Sequence, residues 1–266
     1  MQNDKLHDHF LKLHAAYEKK AVQILVREFR KLGQRIPFDN LTPDTASTLI
    51  ALNIQTKDLE KALFKIHFSI GKHYGNLEMQ RVRREEPQIK RAPSYPLFNE
   101  AFRNFLLSYY ATRGGEFISL LTETYIASVV AEIQNATTEG ETLLQMRNRI
   151  YKTVNRPDFY KWQALRIART ETTFAMNAAK DQVPRNPNLI YDKIWSTRVD
   201  GRERDSHLAA QGQVVEYDKP FNIGGYKMMR PGDRENGSAA QVINCRCAYH
   251  RIIRKDADGL PIIVKN

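Results

Sequence analysis

Apolar residues recur at three- and four-residue intervals from Leu6 almost to Ala178, and then that periodicity stops. A period near 3.6 draws one apolar stripe along a helix, so most of the chain must pack as helices and only the remainder is free to form a sheet. The first stripe is Leu6, Phe10, Leu13, Tyr17, Ala21, Ile24, Leu25 and Phe29, with Gly33 as its stop signal. Thr42-Pro43 predicts a short second helix that carries Leu49, Ile50 and Leu52 inward, because threonine caps well and proline suits the first helical position. From Thr56 a longer helix is expected through Leu59, Leu63, Ile66, Ile70 and Tyr74, ending before Pro87.

Three prolines between Pro87 and Pro96 disfavour helix at each preceding residue and predict an extended elbow over 87–96. Helical spacing then resumes at Phe98, Phe102, Phe105, Leu106 and Tyr109. Gly114-Gly115 interrupts it before a helix from about Phe117 to Ala136. Thr138 and Glu141 fit a capping box for the helix holding Leu143, Leu144, Met146 and Ile150. After Pro157 one last helix contains Trp162, Leu165, Ile167, Ala168, Phe174, Ala175 and Ala178, and Pro184 and Pro187 close the helical part. Short β-like runs follow at Leu189–Thr197, Val214–Tyr217, Val242–Arg254 and Leu260–Val264, separated by Gly224-Gly225 and Pro231-Gly232-Asp233. The expected class is α+β: a mainly α-helical N-terminal domain or arm over 1–156, then a small C-terminal α+β module over 157–266 with a short, largely antiparallel sheet.

Lysine and arginine total 41 against 30 acidic residues, a net charge of +11, which makes polyanions such as nucleic acid the first partners to consider. No stretch approaches the roughly 18 consecutive apolar residues of a membrane span, and the first residues lack a signal peptide's apolar core. No membrane partner is expected, and the cytoplasm is the expected site of synthesis and residence. The only two cysteines, Cys245 and Cys247, share one short segment, which excludes a disulfide framework of the secreted kind.

Within a strand, residues i and i+2 project from one face, so Cys245 and Cys247 read as neighbours on a sheet face. Two thiolates with an imidazole suit zinc, and His207 is the better third ligand because His250 has the wrong strand parity. The alternative reading is two small buried hydrophobes on an inner face. Asp200-Gly201-Arg202-Glu203-Arg204-Asp205-Ser206-His207 describes an exposed charged turn. It could place a general base beside an anion clamp, as phosphodiester hydrolysis would need, or it could be a loop held by its own ion pairs and backbone bonds. Before it, Ile167, Phe174 and Ala178 form a packing stripe, which leaves Arg169, Glu171 and Asn177 to reach over the β module and satisfy loop backbone groups. Basic residues stand beside aromatics at Tyr151-Lys152, Arg156, Phe159-Tyr160-Lys161-Trp162 and Tyr249-His250-Arg251, a pattern compatible with phosphate contact and base stacking.

Taken in order, Ala168-Arg169-Thr170-Glu171 with Asn177, then Trp195, Asp200-Gly201-Arg202 through Ser206-His207 and Gly212, then Pro231-Gly232-Asp233, and finally Ile243-Asn244-Cys245-Arg246-Cys247 resemble the phage Mu protein F-like head morphogenesis family. The resemblance covers roughly residues 160–250. It implies a minor head protein of a tailed double-stranded DNA phage and not an enzyme. Such a protein acts in head morphogenesis at or near the portal, with portal protein and other head proteins as partners and packaged double-stranded DNA as a candidate contact. It implies a place in the virion, in the capsid interior or at the portal vertex, and in the host cytoplasm during assembly. The family's motif maps onto Arg169, Glu171, Asn177, Asp200, Arg202, His207, Asn244, Cys245 and Cys247, none of which it makes catalytic. Two other classes compete: a nucleic-acid-acting enzyme or toxin-associated module using Asp200–His207, and a DNA-binding adaptor without portal contact.

Overall fold

The computed structural model describes residues 2–37, 40, 45, 48–49, 52, 56–85, 98–111, 115–155 and 157–264. The elbow over 87–96 falls outside them, as do Thr42-Pro43 and Ile50 of the expected second helix; of that helix's other apolar residues Leu49 is half-buried, whereas Leu52, expected to turn inward, is exposed. The fold is α+β: helices α1 (Gln2–Gln34), α2 (Thr56–Glu85), α3 (Phe98–Tyr109), α4 (Gly115–Thr138), α5 (Leu143–Asn155) and α6 (Pro157–Asp181) precede the strands. The remaining elements are β1 (Tyr191–Ser196), α7 (Asp205–Ala209), β2 (Val214–Glu216), β3 (Phe221–Ile223), β4 (Tyr226–Met228), α8 (Ala239–Val242) and β5 (Ala248–Ile253). The chain divides into two compact units, one of Met1–Lys19, Ile66–Leu106 and Arg166–Asn266, the other of Lys20–Lys65 and Leu107–Leu165.

The second unit is helical. Leu25, Phe29 and Leu32 of α1, Leu59 and Leu63 of α2, Val129, Ile133 and Ala136 of α4, and Met146 and Ile150 of α5 are buried at the spacing their periodicity requires. The cap of α5 differs from expectation. Thr138 is the last residue of α4, and the reciprocal box forms one turn later: Gln145 N–H donates to Thr142 Oγ1 (3.3 Å), while Thr142 N–H donates to Gln145 Oε1 (2.8 Å). Glu141 instead receives Arg149 at 2.6 Å.

In the first unit, a three-stranded antiparallel sheet of order β2-β1-β5 pairs Trp195 with Tyr249 and Lys193 with both Val215 and Arg251. A separate hairpin joins β3 to β4 through Gly224-Gly225, whose positive φ values of 57° and 89° give the twist that a two-residue turn needs. Trp195, Phe221, Ile223, Met228 and Tyr249 form the centre of the module's core. Two expected β runs are shorter than predicted. Val242 closes α8, so pairing in that run starts only at Ala248, and Leu260–Val264 makes only the isolated bridges Leu189–Ile263 and Lys255–Pro261. Asp256 explains the second: its carboxylate accepts the N–H groups of Asp258 and Leu260, which turns the chain locally.

Helical segments pack in the same unit. Gly71 and Gly75 of α2 admit the rings of Phe102 and Phe98, since a Cβ at either glycine would lie 2.0 and 1.9 Å from a ring carbon. Phe10 of α1 meets Tyr74 edge-on at 5.8 Å. Tyr17 and His73 share a hydrogen bond of 2.6 Å.

Candidate metal centre and the knot around it

Helix α6 shows how the site is built. Its residues Thr170, Thr173, Asn177 and Lys180 are spaced three, four and three apart, so they lie on one face, and all four are buried. That face runs along the backbone from Asn244 to Tyr249. Thr170 Oγ1 accepts Asn244 N–H at 3.0 Å, and Thr173 Oγ1 donates to the Cys245 carbonyl at 2.5 Å. Asn177 Nδ2 donates to the Cys247 carbonyl at 3.2 Å, while its Oδ1 accepts Tyr249 N–H at 3.4 Å. Lys180 Nζ donates to the Tyr249 carbonyl. Residues 244–247 lie outside any strand and β5 is an edge of its sheet, so backbone groups here have no ladder partner and the helix supplies one. Thr173 Oγ1 also accepts a hydrogen from His14 Nε2 at 2.9 Å. Burial, aided by the charge of Arg169, lowers the His14 pKa to about 3, so this imidazole is neutral.

Asn244 has φ 59°, a left-handed conformation that asparagine tolerates better than most residues. The segment is therefore irregular and not a strand, and the strand-face argument for the cysteines does not apply. They converge all the same. His207 Nδ1 lies 3.2 Å from Cys247 Sγ and 3.8 Å from Cys245 Sγ, and all three ligand atoms lie within 4.8 Å of one another. All three residues are buried, at 2–3 % exposure. His207 Nε2 faces Gln241 Oε1 at 2.9 Å, and Cys247 N–H points at Cys245 Sγ at 3.4 Å. Of the two thiols, Cys245 ionises first: a hydrogen bond from Cys247 holds its pKa well below the ordinary value despite burial, with His207 assisting. Burial and the neighbouring sulfur push Cys247 up.

The charged loop closes over this cluster. Arg246, between the cysteines, makes a two-pronged ion pair with Asp200 at 2.6 and 2.9 Å, and Arg198 joins the same carboxylate at 2.8 Å. The Arg246 hydrogen bond, above all, holds the Asp200 carboxyl below its usual range. Glu203 Oε2 accepts the N–H groups of Asp200 and Arg202, which fixes the turn at Gly201. Arg204 Nη2 reaches the Ile243 carbonyl at 2.5 Å. Thr197 Oγ1 donates to the His207 carbonyl at 2.7 Å and accepts Trp195 Nε1–H at 3.0 Å, tying α7 to β1.

The sequence-predicted residues fall into three groups. His207, Cys245 and Cys247 come together, Asn244 is exposed beside them and bonds Thr170 through its backbone, Asn177 bonds the backbone of the cysteine segment, and Asp200 is linked to it through Arg246. Arg169 does not reach the β module; it pairs with Glu18 of α1 at 3.0 Å. Glu171, fully buried, accepts a hydrogen from His67 Nε2 at 2.7 Å and pairs with Arg234, which follows Pro231-Gly232-Asp233. Arg202 is exposed on the loop, away from the cluster's interior. Thr170, Thr173, Lys180 and Gln241 were missed. The three-four-three spacing of polar residues on an otherwise apolar helix was the available signal for the first three.

Tyr249, His250 and Arg251 are buried, so they form no base-stacking surface. Arg251 instead donates to the carbonyls of Lys180, in the last turn of α6, and of Val183 and Pro184 just beyond it. The side chains at 153–160 and 162 lie outside the described residues, whereas Tyr151, Lys152 and Lys161 are exposed.

Fold and site together define an α+β module in which a helix, a charged loop and a Cys-x-Cys segment are knotted into one structure. Residues 127–250, just under half of the chain, match the family model described as Phage Mu protein F like protein. No curated protein and no solved structure matches the chain. The family points to a phage head morphogenesis protein, with other head proteins as partners and the virion as its place. No described helix is long and apolar enough to cross a membrane.

Proposed function

We propose that this chain is a minor head protein of a tailed double-stranded DNA phage, acting in head morphogenesis at the portal. The family match over 127–250 carries this reading. Its support within the molecule is that most of the ordered motif residues serve one knot: Asn244, Cys245 and Cys247 are held from one side by Thr170, Thr173 and Asn177 of α6, and the Asp200–His207 loop is held to them through Arg246. Arg169, Glu171 and Asp233 fasten neighbouring elements to the same module, the last by accepting the N–H groups of Met229, Glu235 and Asn236. Such residues keep a small module rigid enough to act as a fixed part of an assembly. In this reading the helical unit of Lys20–Lys65 and Leu107–Leu165 is the portal-binding arm, the unit that holds Arg166–Asn266 is the rigid module, and the net +11 favours contact with packaged DNA.

The enzymatic reading draws on the Asp200–His207 loop. Against it, Asp200 is engaged by two arginines, and His207 is buried against two sulfurs with no carboxylate joining the group among the described residues. A general base needs access to the proton it removes, and this imidazole is enclosed. Mass spectrometry of purified virions of the encoding phage tests the assembly reading. The chain is expected at low copy number in the particle; its absence from virions and from procapsids would remove the proposed role.

A further inference from the structure

We propose that His207, Cys245 and Cys247 bind one zinc ion in a closed structural site, with His207 coordinating through Nδ1. Zinc bonds of about 2.3 Å to sulfur and about 2.0 Å to nitrogen, at tetrahedral angles, separate a nitrogen from each sulfur by about 3.5 Å. The observed separations of 3.2 and 3.8 Å bracket that value without any ligand having to move far.

The second observation is the tautomer. Gln241 Oε1 can only accept, and it receives both Ser206 Oγ–H at 3.0 Å and His207 Nε2–H at 2.9 Å. A ring that donates through Nε2 in this way presents its Nδ1 lone pair to the two sulfurs. A zinc-binding histidine is commonly fixed in this way by an oxygen behind it, so Gln241 is a positioning residue for the metal. The Cys247 N–H directed at Cys245 Sγ would stabilise a thiolate there in the same manner.

Enclosure decides the kind of site. Three protein ligands leave one tetrahedral position, and with ligands only 2–3 % exposed the site is shut off from bulk solvent. Thr197 Oγ1 gives its proton to the His207 carbonyl and accepts from Trp195 Nε1 and, at 3.9 Å, from Cys247 Sγ. The ion would join the α7 loop to the segment that α6 grips, so its binding energy would add to the stability of the module. The inference rests on these contacts and is independent of the head-protein reading.

The full chain, produced in zinc-replete medium and purified without chelator, is expected to hold about one zinc per chain by elemental analysis. Cobalt exchanged into the protein should show thiolate-to-metal charge-transfer absorption and the intense visible bands of a tetrahedral site. Cys245→Ser and Cys247→Ser should each abolish that spectrum, and Gln241→Ala should weaken zinc affinity about 10- to 100-fold while keeping the cobalt spectrum. If the cysteine variants fail to fold, the wild-type cobalt spectrum and the Gln241→Ala affinity decide the matter. A folded wild-type chain that takes up neither metal overturns the proposal, as does zinc retained in a folded cysteine variant or a cobalt spectrum without thiolate bands.

Discussion

Lys180 shows what burial does to a single charged side chain. Its ammonium lies 5.0, 5.5 and 5.0 Å from the ring centres of Phe10, Tyr74 and Tyr249, and burial lowers its pKa to about 7, with Glu78 opposing the shift. The native pKa is below the unfolded one, so between about pH 7 and 10.5 the unfolded chain binds a proton that the native chain does not. Stability from this group therefore rises with pH across that window, and the burden is fully present below pH 7. Denaturant unfolding of the wild type and of Lys180→Met at pH 7.5 and 9 should show the wild type gaining roughly 2 kcal/mol over the variant between the two. Parallel pH dependences would show that Lys180 titrates normally.

Residues of this kind were not legible in the sequence. A lysine near the end of a helix reads as a solvated partner for the helix dipole, and only the tertiary contact with Phe10, 170 positions away, makes it a buried one. Glu171 and His14 were hidden in the same way, because their partners His67 and Thr173 stand on other helices far along the chain. Cys245, Cys247 and His207 were legible by type. The strand geometry invoked for the cysteines was wrong, since Asn244 turns the backbone left-handed just before them.

At the scale of elements, helix boundaries followed periodicity closely: α2 starts at Thr56 and ends at Glu85, two residues before Pro87. The sheet was less legible, because three-residue strands such as β3 and β4 carry too few positions to display a period of two. The grip of α6 on the 244–249 segment is the element-scale interaction on which the module depends. Asn177→Leu keeps the helix and roughly the volume but deserts the Cys247 carbonyl and the Tyr249 N–H. Each abandoned buried group costs about 1–3 kcal/mol, so a loss of about 2–4 kcal/mol is expected in chemical denaturation. A change below about 0.5 kcal/mol would mean that the segment holds its place without α6.

For the whole molecule, the helical periodicity and the basic charge were visible from the start, and the ordered motif pointed to the family that residues 127–250 match. What no pattern revealed is that Met1–Lys19 and Ile66–Leu106 fold into one compact unit with Arg166–Asn266. Those joins depend on contacts such as His14 with Thr173 and Arg169 with Glu18, which are specified by complementarity and not by local propensity. The central claim, a head-assembly protein that acts at the portal, is tested most directly by co-expressing the chain with the portal protein of the same phage and purifying the portal ring after nuclease treatment. The account predicts that the chain remains with the ring in nuclease-treated samples; a portal ring free of it, together with a soluble, folded chain in the unbound fraction, would contradict the account.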